Sequence, residues 1–562
     1  MITKRFFMCM VLCGVLVLAA VSSDGGEERS KVESIFFNGT IYTMDDERPV
    51  VQAVAVTDGK IVGVGSDQEM FALSGGETER IDLGGRTAIP GLVDAHAHFT
   101  GYAENLARID LVGTRSIPEV LERLESGVAG AVRGEWILGR GWDQNDWPEK
   151  GFPTRHDLDK VSSERPIYII RVCGHAVAVN SRALALAGID ETTPDPIGGK
   201  IIRDDEGRPT GLLLEDAKAL VYDKIPPLTR DEKKRLMKKA ALNCLAAGLV
   251  GVHEMGISHE EKSILEELYD ADELPFRITA YYDSDDEYAD GIMDAGQLRG
   301  TRDHHFSIVG LKFYADGSLG ARSAALLEDY SDDPGNSGIL VTGPDALYDG
   351  VRRCHEKGFQ AAVHAIGDRG VRISLDVFER VLRELPETDP RHRIEHSQIV
   401  SPSDIARYAV LGVVPSMQFT HCTSDMPWAE DRVGPERVKG AYAWRSFLDQ
   451  GCRIPGGSDF PVESIDPLLG LYAAVTRRDL SGHPEGGWYS EQSLTIEEAL
   501  RAFTIDAAYA SHEDSVRGSI SVGKLADLVV LSDDLMRIEP VRIPGIEVIM
   551  TVLGGEIVYR AE

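Results

Sequence analysis

Thiols are scarce in this sequence and never closely paired. Seven cysteines occur in 562 residues. Cys9 and Cys13 lie in an N-terminal apolar run, and Cys173, Cys244, Cys354, Cys422 and Cys452 are scattered without Cys-x-x-Cys spacing. This argues against a disulfide framework or a thiolate zinc site, leaving room for one opportunistic bridge. Positive charge is also short, with 59 Lys and Arg against 91 Asp and Glu, a net charge of -32. Nucleic acid and other polyanions are thereby disfavoured as partners. No apolar run makes a comfortable membrane span. The run from Phe6 to Val21 follows Lys4 and Arg5 and gives way abruptly to Ser23-Asp24-Gly25-Gly26. It reads as a signal peptide over 1–23, with an uncleaved anchor as the alternative. The expectation is an exported protein, periplasmic or extracellular, with no stable membrane span once the signal is removed. No repeat of solenoid period is visible.

What remains is ordinary globular composition, 43% hydrophobic and 27% charged, in a chain long enough for a large catalytic domain and a smaller companion. Both ends are rich in short strand-like runs. Ile35-Phe36-Phe37, Gly39-Thr40-Ile41-Tyr42, Ala53-Val54-Ala55-Val56 and Ile61-Val62-Gly63-Val64 stand near one end, the last two separated by an Asp58-Gly59 turn. Leu528-Val529-Val530-Leu531, 548–553 and Ile557-Val558-Tyr559 stand near the other. Two such ends, 32–90 and 515–562, are expected to pair into one small β-sandwich. Between them, apolar runs alternate with helical patterns. The predicted strands are Gly91 to His96, Leu249 to His253, Arg277 to Tyr282, Ile308 to Tyr314, Gln360 to His364, Arg393 to His396, Val413 to Met417 and Arg453 to Asp459. The fold class is therefore α/β, a (β/α)8 TIM-like barrel over 91–500. The gap between the first two strands is too long for one crossover, so about 105–225 is an inserted subdomain, rich in Trp, Gly and Pro.

Several of these strands end in a possible metal ligand, on the face where barrel enzymes build their sites. His96 and His98 are two apart on a strand, so both imidazoles face one way and reach one ion. Lys312 sits inside the apolar run 308–314, where a free ammonium is costly to bury. Carboxylation would invert its charge and supply two oxygens able to bridge two cations, although for a lone lysine a snorkelling stem suffices. His364, His396 and Asp459 end later strands; either histidine taken alone is more often a core or helix-capping residue than a ligand, and Asp459 alone reads as an N-cap for the next helix. In that strand order, the six positions are hard to assemble by chance.

The set His96-x-His98, Lys312, His364, His396 and Asp459 resembles the amidohydrolase superfamily. Fuller motifs resemble its family 3 branch, which includes N-substituted formamide deformylases. They are Cys173-Gly174-His175, Leu311-Lys312-Phe313-Tyr314-Ala315-Asp316-Gly317-Ser318-Leu319-Gly320, Val363-His364-Ala365-Ile366-Gly367-Asp368, Gln418-Phe419-Thr420-His421 with Asp425-Met426-Pro427-Trp428, and Gly457-Ser458-Asp459-Phe460-Pro461-Val462. The resemblance implies one metal held by His96, His98 and Asp459 and a second by His364 and His396, with carboxylated Lys312 and a hydroxide between them. Imidazole and carboxylate ligands suit two zinc ions, other divalent metals being possible. It implies Asp459 as the group that moves the proton from the hydroxide to the leaving amine, and His175 as a contact to substrate or its tetrahedral intermediate. His421, Asp425 and Arg322 are substrate-pocket candidates, and His253-Glu254 lines either pocket or core. The implied activity is hydrolysis of a small molecule's carbon–nitrogen bond other than a peptide bond, in a linear amide such as an N-acyl or N-formyl amine. The same site also suits a cyclic amide, a carbamate or an ester, and a non-catalytic barrel scaffold is the reading from another class. Whether the chain forms a homo-oligomer stays open.

Overall fold

The computed structural model describes residues 32–561 except 128–131, 134–135, 173, 175 and 197–198. Eight parallel strands form the barrel wall, to which Leu298–Gly300 adds a short antiparallel ninth: β1 (Leu92–Ala97), β2 (Leu249–Ile257), β3 (Arg277–Asp283), β4 (Phe306–Tyr314), β5 (Gln360–Ala365), β6 (Arg393–His396), β7 (Val414–Gln418) and β8 (Gly456–Gly457). Each pairs in parallel with its sequence neighbour, from β1 through to β8. Closure comes just beyond the last strand. Asp459 N donates to His96 O at 2.8 Å, and His98 N donates to Phe460 O at 2.8 Å. The molecule is an α/β barrel of the expected kind.

Helices form the outer layer, and their starts are written in the sequence. The helix Arg230–Ala246 opens with a capping box in which Thr229 Oγ1 accepts from Glu232 N at 3.3 Å and the Glu232 carboxylate accepts from Thr229 N at 2.8 Å. Ser258 and Glu261 repeat the device for the helix His259–Asp270. Such reciprocal bonds satisfy amides that a helix N-terminus leaves unpaired. Leu236, Met237, Ala240, Ala241 and Cys244 then bury one stripe of the first helix against the barrel wall. Cys244, Cys354, Cys422 and Cys452 are all free and buried; Cys173 lies outside the described residues.

The last strand is shorter than the expected Arg453 to Asp459. Pro455 has no N–H to give a ladder, and Ser458 leaves the strand to bond Asp94, its N donating at 3.0 Å and its Oγ at 2.7 Å. Gly457 permits the tight seam. A Cβ there would stand 2.6 Å from the His96 backbone nitrogen.

The segments 34–90 and 528–560 meet beneath the barrel. Thr87–Pro90 pairs antiparallel with Leu528–Leu531, in a six-stranded sheet that also takes in Thr40–Tyr42, Val50–Val51, Val548–Leu553 and Glu556–Arg560. A four-stranded sheet of Ser34–Phe37, Ala53–Thr57, Lys60–Gly65 and Glu79–Asp82 packs on it through Phe36, Ile41, Val54, Leu528 and Val552. Residues 109–215, between β1 and β2, build a separate seven-stranded sheet. Trp142 and Trp147 are fully buried in it, their indole N–H groups donating to Ile169 O at 3.2 Å and Thr114 O at 2.7 Å.

One buried ion pair ties the barrel to the terminal sheets. Arg277, at the start of β3, makes two 2.9 Å bonds to the Asp527 carboxylate, which also accepts from Gly554 N at 2.8 Å. Removing one partner strands a buried charge. Arg277→Ala is expected to lose about 3–5 kcal/mol in urea denaturation followed by tryptophan fluorescence, and Arg277→Met with Asp527→Leu less than Arg277→Ala alone.

Candidate metal centre

The site rests on a polar barrel lumen. Arg393 on β6 is completely buried, and all its nitrogens are engaged. Nη1 donates to His253 Nδ1 at 2.9 Å and to Tyr281 Oη at 3.1 Å; Nη2 donates to Ala95 O at 2.7 Å and Ser416 Oγ at 2.8 Å. Its fork grips Glu395, two residues along the same face, at 2.7 and 3.0 Å. Burial alone would raise the Glu395 carboxyl, but Arg393 and then His96 hold it well below the usual range. The ionised Glu395 lies 2.6 Å from His96 Nδ1. A carboxylate can only accept, so Nδ1 carries the proton and Nε2 presents a lone pair to the barrel mouth.

Asp459 sits where the imidazoles converge. Its Oδ1 is 3.5 Å from His96 Nε2 and 3.1 Å from His98 Nε2, and its Oδ2 is 3.4 Å from His421 Nε2. Burial favours the neutral acid, but the imidazoles of His421 and His98, with His96 close by, outweigh it and keep Asp459 ionised, well below the usual carboxylate range. Burial likewise pulls down on His98 and His421, and bonding to Asp459 reverses it, raising both. His421 Nδ1 also meets Glu463 Oε1 at 3.2 Å. Asp459 and His396 both hold left-handed backbone, at φ 60° and 74°. Left-handed backbone is uncommon for non-glycine residues, though Asp and His adopt it more readily than most.

Two groups here can hold a metal: His96, His98 and Asp459, and His396, His421 and Asp459. In each, one donor atom per residue lies within 4.8 Å of the others. His96 Nε2 and His396 Nδ1 are buried without a hydrogen-bond partner. Leaving such atoms unpaired costs about 1–3 kcal/mol each, a cost that cations would remove, so the donor set fits divalent metal.

The other expected residues divide. Lys312 is buried on β4, its Nζ 5.6 Å from the centre of the Tyr314 ring, and burial pushes its pKa down to about 8. The His364 ring centre is 4.5 Å from that of His396, but its Nε2 meets Gly317 O at 3.2 Å and the residue belongs to neither group. Burial pushes His364 down to about 3, which keeps the imidazole neutral. Asp425, at the end of the helix Phe419–Asp425, takes a 2.7 Å bond from Gln398 and another from Tyr442. Arg322 is turned onto Asp332, at 2.7 and 3.1 Å. His175 lies outside the described residues.

Sequence reasoning passed over several supports. Glu395 was legible as a charged partner for Arg393 at strand spacing, in a segment that is otherwise buried. Asp94 takes the Ser458 bonds at the seam, and burial lifts it to about 7. Glu254 accepts from Phe99 N and from Thr100 N and Oγ1, fixing the start of the helix Phe99–Asn105 that follows His98. Asp316 accepts from Ala325, Ile366 and Gly367 amides at 2.8–2.9 Å, locking the loop after β4 to the end of β5. No local pattern announces the last two roles.

A profile of the amidohydrolase family matches residues 79–559. The chain belongs to that family. Within it, the protein is 34% identical over 543 residues to the putative amidohydrolase YtcJ of Bacillus subtilis, covering 94% of this chain and all of the relative. It is 28% identical over 542 residues to an N-substituted formamide deformylase of Arthrobacter pascens, covering 94% of this chain and 98% of that one. An uncharacterized metal-dependent hydrolase from Pyrococcus horikoshii superposes with a TM-score of 0.75 at 30% identity, covering 90% of this chain and 99% of that structure. This amidohydrolase is thus a metal-dependent hydrolase by family and by its His/Asp groups.

The raised His98 and His421 set a pH dependence. Bonding to Asp459 favours the protonated form of both in the metal-free protein, and a ligand must shed its proton to bind. Metal binding should therefore release protons, and affinity should rise with pH. Titration calorimetry in buffers of different ionisation enthalpy is expected to show a buffer-dependent heat; an identical heat in every buffer contradicts the arrangement.

Proposed function

We propose that this protein hydrolyses a small molecule's carbon–nitrogen bond other than a peptide bond, in a linear amide of the N-acyl or N-formyl amine class. The observation that carries the reading is the convergence of His96, His98, His396 and His421 on the single carboxylate of Asp459, with buried donor atoms left unpaired. Similarity to a formamide deformylase along nearly the whole chain supports the amide class. In this reading the metals are two zinc ions, one held by His96, His98 and Asp459. The second falls to His396 with His364, and His421 is a further claimant for it. Lys312, once carboxylated, would offer its carbamate oxygens as further ligands. Its burial supports this, because a pKa near 8 leaves a fraction as the free amine that adds carbon dioxide and sheds a proton.

When bound, such ions acidify water and polarise a carbonyl. The chain's own groups do the rest. Asp459, kept ionised by its imidazoles, accepts the proton of the attacking water and returns it to the departing amine nitrogen. His421, 3.4 Å from the second carboxylate oxygen, helps fix the direction from which it works. Glu395 holds His96 in one tautomer. Asp459→Asn is expected to lower kcat about 100- to 10,000-fold in zinc-loaded protein, with metal content measured alongside. The class itself is tested by a panel of N-formyl and N-acyl amines, cyclic amides, carbamates and esters given to the zinc-loaded and chelated enzyme. Turnover confined to cyclic amides or carbamates would replace the linear-amide reading, and no turnover with no bound metal would favour a scaffold.

Export is part of the same reading. The charged-then-apolar segment 4–21 supports a signal peptide removed near residue 23. Intact mass of the protein recovered outside the cytoplasm should correspond to a chain starting close to Asp24.

A further inference from the structure

Gln418 ends β7, and none of the roles above uses its side chain. Its backbone is extended, with φ −106° and ψ 106°, so the alternation of the strand runs through it. Ser416, two residues earlier, points its hydroxyl into the lumen, where Arg393 donates to it at 2.8 Å. Gln418 therefore faces the lumen one layer nearer the mouth. Its strand partner is Gly457, the residue that packs against the backbone of His96. This is the layer of the metal-site imidazoles.

In that layer Gln418 is only 3% exposed, and neither Oε1 nor Nε2 has a hydrogen-bond partner. Thr420 Oγ1, two residues on, is also buried and unpaired. Native proteins rarely leave both ends of a buried amide unmatched. Unpaired atoms nearby, His96 Nε2 and His396 Nδ1, are donors suited to a cation. A neutral carboxamide is a weaker zinc ligand than the imidazoles and carboxylate already gathered there. It is instead the complement of another amide, since it offers an acceptor for an N–H and donors for a carbonyl.

We propose that Gln418 is a specificity-determining residue that pairs with the scissile amide, its Oε1 accepting the substrate N–H. The inference rests on the linear-amide reading. An ester of the same shape lacks the N–H and leaves Oε1 buried and unpaired, the situation in which a polar site discriminates against an analogue.

The test uses zinc-loaded full-length enzyme with N-butylformamide and butyl formate as matched probes, and Gln418→Met as the variant. Methionine keeps the volume and removes both polar atoms. The amide-to-ester ratio of kcat/KM is expected to fall about 10- to 100-fold relative to the native enzyme. Ester turnover and zinc content of the same variant report that it is folded and loaded. An unchanged ratio, or equal loss on both probes, overturns the inference while the function stands. Loss of zinc from the variant overturns it too, by making Gln418 part of the metal shell. Failure of the native enzyme on the amide panel is visible before any variant is made, and removes the proposed function and this inference together.

Discussion

The barrel has to close, and the bonds that close it also place the residue on which the site converges. β8 contributes two strand residues before the chain turns, and the amide of the residue after Ser458 completes the seam by donating to His96 O. That residue is Asp459. Its position is therefore fixed by the backbone of β1, the strand that carries His96 and leads into His98. A carboxylate held in this way cannot drift from its imidazoles without opening the barrel. The left-handed backbone at Asp459 and His396 has the same origin: each strand must end abruptly to turn its side chain across the mouth. Such strain persists because the surrounding sheet over-determines it.

How much of this could be read beforehand follows from the range of the interactions. Strand and helix periodicities are local, and so are capping boxes such as Thr229 to Glu232, which is why the barrel, its order of strands and its outer helices were legible. His96, His98, Lys312, His364, His396 and Asp459 were legible as a set because strand ends in a parallel barrel share one face. What stayed hidden depends on long-range register. Glu254 meets the helix at Phe99 only because β2 lies beside β1, and Glu463 meets His421 only through a loop. The place of His421 beside Asp459 was equally out of reach, since spacing alone offered it only as a pocket residue. β8 shows the reverse error. Its apolar run read as seven residues of strand, but Pro455 and the pull of Asp94 on Ser458 leave two.

The lumen under the site departs from the usual filling of such barrels by branched aliphatic side chains. Arg393, Glu395, His253, Tyr281 and Gln360 occupy it as one bonded chain, with Tyr281 Oη donating to Gln360 Oε1 at 2.5 Å and accepting from Arg393. Packing does not require this, and hydrophobic residues would fill the space at lower desolvation cost. The arrangement makes sense from its upper end. His96 needs a strong acceptor at Nδ1 if Nε2 is to face the mouth unprotonated. A neutral acceptor would polarise the ring weakly, and an unpaired carboxylate would not stay ionised in so dry a place. Arg393 resolves the conflict. It compensates the Glu395 charge through two parallel bonds and leaves Oε2 free to reach His96. The lumen thus delivers a carboxylate's basicity to a histidine with no net charge beneath it, and leaves Asp459 as the carboxylate on which the imidazoles of the layer above converge.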